Sequence, residues 1–205
     1  MKNNSVQILL IVLLSLMSPI WLSGQTWKFV KERDGVQMYS RREAGKGLKL
    51  YKGIGDIKVS ADKVFTLLED VNHTEWWTKD VTHIQVLLYE KDKNAHYYLV
   101  YQLPWPFKDR DLCVNVTETI NRSTGERKLT AVPLSGVCVE HEGLVRIKDY
   151  WQEWIVKPID NNHSRIELMF YIDPGIYLPS WLINMILGDA PINSIKALRM
   201  YMEKK

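Results

Sequence analysis

The chain has 205 residues and a formal net charge of +3, from 27 basic and 24 acidic side chains spread along its length. That length fits one domain with a sizeable core, and no basic block marks a nucleic-acid partner. Eight Trp and ten Tyr are expensive to expose, so many are expected in a core or lining an apolar pocket.

The N-terminus reads as an export signal over residues 1–24. Lys2 precedes an apolar run over 6–17, broken only by Gln7 and Ser15, and the small pair Ser23-Gly24 follows. The run is short for a membrane span and fits a secretory signal peptide. The expected location is therefore periplasmic or secreted. Leu22 sits where a smaller residue is usual, so the alternative is a chain tethered to the membrane by an uncleaved N-terminus. Residues 25–205 are read as a single domain.

Residues 26–33 form a lead-in anchored by Trp27 and by Phe29 or Val30. Asp34-Gly35 turns, 36–42 alternate as a strand, and Gly45-Lys46-Gly47 turns into a return strand over 48–57. Gly53-Ile54-Gly55 lacks the third glycine and following helix of a phosphate loop, so it reads as a bulge or a close approach. Ser60 is placed to cap a helix of about three turns, with Asp62 favoured by the dipole. Val64, Phe65, Leu67, Leu68 and Val71 give that helix its apolar face, and it ends near Asn72. The loop that follows carries Trp76 and Trp77, one expected inside and one at a rim.

Strands are expected over 81–89, 95–103, 109–120, 127–133, 143–158 and 164–173. Pro104-Trp105-Pro106-Phe107 breaks the second of these. Tight turns between strands predict antiparallel meanders. Pro174-Gly175 ends the last strand, and Pro179 suits the first turn of a long final helix. Leu178, Trp181, Leu182, Met185, Ile192, Ile195, Leu198 and Met202 recur at three- and four-residue steps along it. Gly188 and Pro191 interrupt this helix and predict a kink or a hinge. The fold class is α+β, a curved antiparallel sheet wrapped around the final helix. Sheet and helix either pack as two plain layers or enclose a cavity.

No catalytic or metal signature appears. The five His make no zinc-binding pattern, and Cys138-Val139-Glu140-His141 offers two ligands where a structural zinc needs four. No cofactor is expected. Cys113 and Cys138 are read as separate buried thiols, with one disulfide as the alternative in an oxidising compartment. Asp109-Arg110-Asp111 is a dense cluster, either an Arg held by neighbouring carboxylates or an anchor for a ligand head group. Arg146 and Glu167 are candidates for a cross-strand pair, facing a ligand if buried.

Two stretches carry a family resemblance. Pro104-Trp105-Pro106-Phe107-Lys108-Asp109-Arg110-Asp111 resembles the signature of StAR-related lipid-transfer (START) domains. Asp173-Pro174-Gly175 with Leu178-Pro179-Ser180-Trp181-Leu182-Ile183-Asn184 is similar to the start of their C-terminal helix. The resemblance extends over nearly all of 27–203. It implies a helix-grip fold in which a hydrophobic tunnel holds one lipid, a binding or transfer module without a catalytic step. It makes the chain an exported bacterial member, monomeric, with transient membrane contact. Sterol-binding relatives carry a buried Arg about six residues beyond the position of Arg110. Here that position is Val116, so sterol specificity does not carry over. A polyketide cyclase or aromatase of the same architecture is the alternative. The residues expected at the ligand are Trp76, Tyr101, Trp105, Arg110, Arg146, Trp154, Phe170, Trp181 and Met185, with no catalytic and no metal residues.

Overall fold

The computed structural model describes residues 26–76, 81–91, 93–175 and 178–204, leaving aside the side chains of Ser180, Asn184 and Met185. The expected signal segment, Trp77 and the Met185 side chain lie outside the described residues. The strands are β1 (Lys28–Arg33), β2 (Val36–Arg41), β3 (Leu50–Ile57), β4 (Val81–Glu90), β5 (Asn94–Tyr101), β6 (Arg110–Asn121), β7 (Glu126–Pro133), β8 (Val145–Arg146), β9 (Asp149–Pro158) and β10 (Ser164–Asp173). Helix α1 (Ala61–Glu69) follows β3, and α2 (Ser180–Leu187) and α3 (Ala190–Glu203) follow β10.

One sheet runs in the order β1-β2-β3-β10-β9-β7-β6-β5-β4, antiparallel throughout, with β8 added parallel to β6. Along each strand successive side chains alternate between the two faces. One face of β10 presents Ser164, Ile166, Leu168 and Phe170, all buried, while Arg165 between them is exposed. The same face of β9 carries Tyr150, Gln152, Trp154 and Val156, since Trp154 pairs with Leu168 and Val156 with Ile166. This concave face receives the helices. One core joins α1 and α3 to β2, β3, β9 and β10; a second joins β5 and β6 to Ile147 and Tyr150.

Helix α3 lies unusually close to β3. A side chain on Gly53 would put a Cβ 2.8 Å from Pro191 Cβ, and one on Gly55 would lie 3.1 Å from Ile195 Cγ2. The ladders of β3 to β2 and β10 run without a bulge. Of the two readings of these glycines, close approach is the observed one. The seat is reinforced by Arg199, whose Nη1 donates to Asp34 O at 2.6 Å and Nε to Asp56 O at 3.1 Å.

Five expectations need correction. Residues 28–33 form an edge strand, and Phe29 and Val30 are exposed instead of serving as anchors. Helix α1 is shorter than expected and ends at Glu69; Ser60 stands at its N-cap but makes no side-chain cap. The strand expected over 143–158 breaks at 147–148, because β8 leaves β9 to pair with β6. The final helix is two helices. Pro191 sits in the first turn of α3, where its missing N–H needs no partner, so it starts a helix instead of kinking one. Finally, Cys113 and Cys138 are joined in a disulfide with a Cα separation of 6.0 Å. Residues 134–144 fold back over the outer face of β5 and β6, where Leu134 N–H donates to Cys113 O at 2.8 Å.

Two outcomes follow for stability. The disulfide closes a separation of 25 residues. Reduction, or the double change Cys113→Ser and Cys138→Ser, is expected to lower the unfolding free energy by about 3.5 kcal/mol in urea titrations. Gly53→Ala is expected to cost about 1–3 kcal/mol, because neither Pro191 nor the backbone of β3 yields easily. Gly47→Ala, with nothing within 4 Å, is the matched control and should be near neutral.

Candidate functional site

Between the concave face and the two C-terminal helices lies a cavity of about 600 Å³. Its floor is a set of cross-strand rows. The first row is Leu129, Trp154 and Leu168, and the second is Val116, Ala131, Gln152 and Phe170. A third follows with Val114, Tyr150 and Ile172, and Tyr101 and Arg110 pair at the far end. Leu68 of α1 and Trp76 close the first end, where the Trp76 and Trp154 rings meet edge to face at 5.9 Å. Ile183, Ile186 and Leu187 of α2, with Ala190 of α3, form the roof.

The cavity is therefore polarised. Its Trp76 end is hydrocarbon and aromatic. Its other end gathers Arg110, Tyr101, Tyr150 and Gln152, with Tyr150 donating its hydroxyl to Gln152 Oε1. Loss of water pushes the Tyr101 hydroxyl up to about 12, and lifts Tyr150 well above the ordinary value with help from nearby Tyr101. Both are neutral hydroxyls at any physiological pH. Arg110 is 5% exposed. Its Nε donates to Pro174 O at 2.5 Å and its Nη1 to Lys108 O. Burial lowers its pKa from the ordinary value, and Asp109 opposes that. Arg110 is the one charged side chain among the described residues that line the cavity.

Adjacent positions on a strand face opposite ways, and this splits the Asp109-Arg110-Asp111 cluster. Asp109 accepts the Leu103 N–H at 3.0 Å and shapes the loop. Arg110 enters the cavity. Asp111, 1% exposed, points to the outer face and holds Arg146 through two bonds, Nε to Oδ1 at 3.0 Å and Nη2 to Oδ2 at 2.7 Å. Tyr98 donates to the same carboxylate at 3.1 Å. Arg146 also donates to Val139 O at 2.8 Å and Cys138 O at 3.3 Å, so it fastens the disulfide-bearing loop.

Trp76, Tyr101, Arg110, Trp154 and Phe170 thus line the cavity. Three expected positions do not. Arg146 lies on the opposite face, and Glu167 pairs with Lys157 instead, at 2.5 Å. Trp105 is 92% exposed at the tip of its turn, where the bond to Pro106 is cis. Trp181 is 60% exposed on the outer side of α2, edge to face with Phe107 at 6.4 Å. Tyr150, Gln152, Tyr97 and Leu99 were missed. Counting back by two from Trp154 and from Tyr101 would have found them.

The START domain family model matches residues 12–204. The chain belongs to the START domain family. An uncharacterized protein of Pseudomonas aeruginosa is 32% identical over 183 residues, covering 89% of each chain. Human phosphatidylcholine transfer protein is 26% identical over 196 residues, covering 89% of this chain and 88% of its own. A crystal structure of a StAR-related lipid transfer protein from Xanthomonas axonopodis superposes with a TM-score of 0.76 at 27% identity, covering 86% of this START domain and 98% of its own chain. The Zhui aromatase/cyclase of Streptomyces shares the fold at a TM-score of 0.53 and 8% identity, covering 76% of this chain and 93% of its own.

In this START domain Asp189 occupies the joint between α2 and α3. Lys31 and Arg33 of β1 both bind its carboxylate, Arg33 at 2.7 Å. The two cations hold the Asp189 pKa below the usual carboxylate range, Lys31 foremost. A lowered folded pKa stabilises the fold above the unfolded value, near 3.9, and that contribution is lost as pH falls through the folded value. Asp189→Asn should therefore cost about 1 kcal/mol or less between pH 5 and 7 at low salt. The difference from the unsubstituted protein should disappear as pH falls through the lowered folded value, in denaturant titrations at each pH.

Proposed function

We propose that this START domain binds one hydrophobic molecule in the cavity and carries it between membranes, acting as a single chain and without a catalytic step. The observation that carries the reading is an apolar cavity of about 600 Å³ roofed by a separate short helix, α2. A volume of that size lies in the range of small-molecule sites. Membership of the START family and the resemblance to phosphatidylcholine transfer protein and a StAR-related lipid transfer protein support it.

The lining also favours binding over conversion. The described residues around the cavity include no His, Cys, Asp, Glu or Lys. Those are the usual general bases and the usual partners that activate a nucleophile, so Ser194 and the lining tyrosines have none of them beside them among the described lining residues. The expected export from the cytoplasm is supported by the apolar segment at 6–17 and by the Cys113–Cys138 disulfide.

The two C-terminal helices have different tasks in this reading. Helix α3 is held by the glycine seat on β3 and by the Arg199 bonds. Helix α2 roofs the cavity with Ile183, Ile186 and Leu187, and acts as the lid, turning at Gly188 and Asp189. Each large side chain contributes roughly 1.5–3 kcal/mol when fully buried, so a partial opening of one short helix is far cheaper than lifting both. Phe107 and Trp181 meet edge to face beside this roof, and Trp181 and Trp105, two residues before Phe107, are exposed. They are suited to transient contact with a bilayer surface, where aromatic side chains reside favourably.

Native mass spectrometry of the protein as purified is expected to show one bound lipid per chain. Phe107→Cys with Trp181→Cys, joined by a short bifunctional thiol reagent, should slow exchange of a fluorescent lipid with vesicles. The uncoupled double variant, which lacks the same two rings, sets the reference rate. Equal rates in the verified cross-linked form would place entry away from α2. Conversion of a bound molecule, abolished by one substitution in the cavity, would replace this reading with that of a cyclase.

A further inference from the structure

Two observations constrain what the cavity holds. The first is polarity along the cavity. Its Trp76 end is lined by hydrocarbon and aromatic groups, and its other end by Arg110, Tyr101, Tyr150 and Gln152.

The second is a buried cation without an ion pair among the described residues. Arg127, Arg146 and Arg165 each meet a carboxylate, at 3.0, 2.7 and 2.7 Å. Arg110 is 5% exposed, yet among the described residues it forms no ion pair. Its two protein bonds go to backbone carbonyls, which carry no net charge. Its Nη2 has no partner among the described residues. A buried charge left without an opposite charge is costly, and a guanidinium offers a planar fork that matches two acceptor oxygens. Beside it the Tyr101 hydroxyl lines the cavity and donates to no described residue. No carboxylate among the described lining residues faces a positively charged head group.

We propose that the cavity selects lipids with an anionic head group, the head bound by Arg110 and Tyr101 and the hydrocarbon extending toward Trp76 and Trp154. This rests on the reading that the cavity holds lipid, and it names the head group that the cavity takes. A carboxylate and a phosphate monoester share the required chemistry of two or more anionic oxygens. Tyr150 and Gln152 bond to each other and mark the boundary between the polar end and the hydrocarbon end.

The test uses the delipidated full chain and four probes: oleate, oleyl alcohol, 1-oleoyl-lysophosphatidate and dioleoylphosphatidylcholine. Calorimetry and native mass spectrometry give affinity and stoichiometry. Oleate, lysophosphatidate or both are expected to bind one per chain. Oleyl alcohol, with the same chain and no charge, should bind roughly tenfold more weakly or worse, as for the loss of a charged hydrogen bond. Whichever of the two anions binds more tightly identifies the head group as carboxylate or phosphate. Arg110→Gln should reduce anion binding to the level of the alcohol and leave the alcohol unchanged. That variant also loses bonds to Pro174 and Lys108, so the comparison of oleate with oleyl alcohol on the unsubstituted protein decides the matter if it does not fold. Equal affinity for acid and alcohol would overturn the role of charge. Uptake of dioleoylphosphatidylcholine as tight as that of the anions would overturn the charge selection while leaving lipid binding intact. Binding of none of the four would remove the lipid reading itself.

Discussion

Helix α3 can rest on the sheet only because β3 carries no side chain where the two meet. A Cβ at Gly53 would fall inside the van der Waals contact of Pro191, and one at Gly55 would crowd Ile195 and Arg199. Backbone packs against helix there, and the helix axis is drawn down onto β2, β3 and β10. Because α3 is seated at that side of the sheet and α1 packs on β9, the stretch above β5 and β6 is left without a helix packed closely into it. The cavity occupies that space. Helix α2 spans it as a roof, connected to the seated helix through Asp189 and held there by two cations of β1.

Strand alternation then decides what the cavity contains. The inward positions of β6, β7, β9 and β10 supply a hydrocarbon floor, and the row that ends it supplies hydroxyls and one guanidinium. Apolar surface removed from water stabilises the fold, while a cation removed from water opposes it. The protein keeps both in one chamber, separated along the direction of the strands. An amphiphile with its head at one end and its chain at the other matches that polarity, and a uniformly apolar molecule does not.

On the outer face the same strand does the opposite job. Asp111 neutralises Arg146, and Arg146 in turn holds the carbonyls of Cys138 and Val139. Breaking such a buried pair by removing one partner generally costs several kcal/mol, because the remaining charge stays buried. The disulfide fixes the same loop covalently to β6. Val145 and Ile147 donate to Asp109 O and Asp111 O immediately beside it. The polar end of the cavity is therefore backed by an outer layer tied by a disulfide and a buried ion pair.

Local chemistry in the sequence determined the meander, the short early helix and the helical end. These depend on period, turn residues and proline, which act over a few positions. It also determined that Gly53 and Gly55 mark a close approach or bulge, and the alternation from Trp154 and Tyr101 carried the cavity floor. The exposure of Trp105 and Trp181 was decided elsewhere. A turn tip and an amphipathic helix each look apolar in sequence, but which side meets the sheet depends on where α3 is seated. The opposite facing of Arg110 and Asp111 follows from alternation, yet which of them enters the cavity depends on the curvature of the sheet and its register with β5 and β7. The disulfide joins residues 25 apart only after 134–144 fold back over the outer face. Each of these outcomes rests on contacts between segments distant in the chain, and spacing along one segment carries no information about its partner.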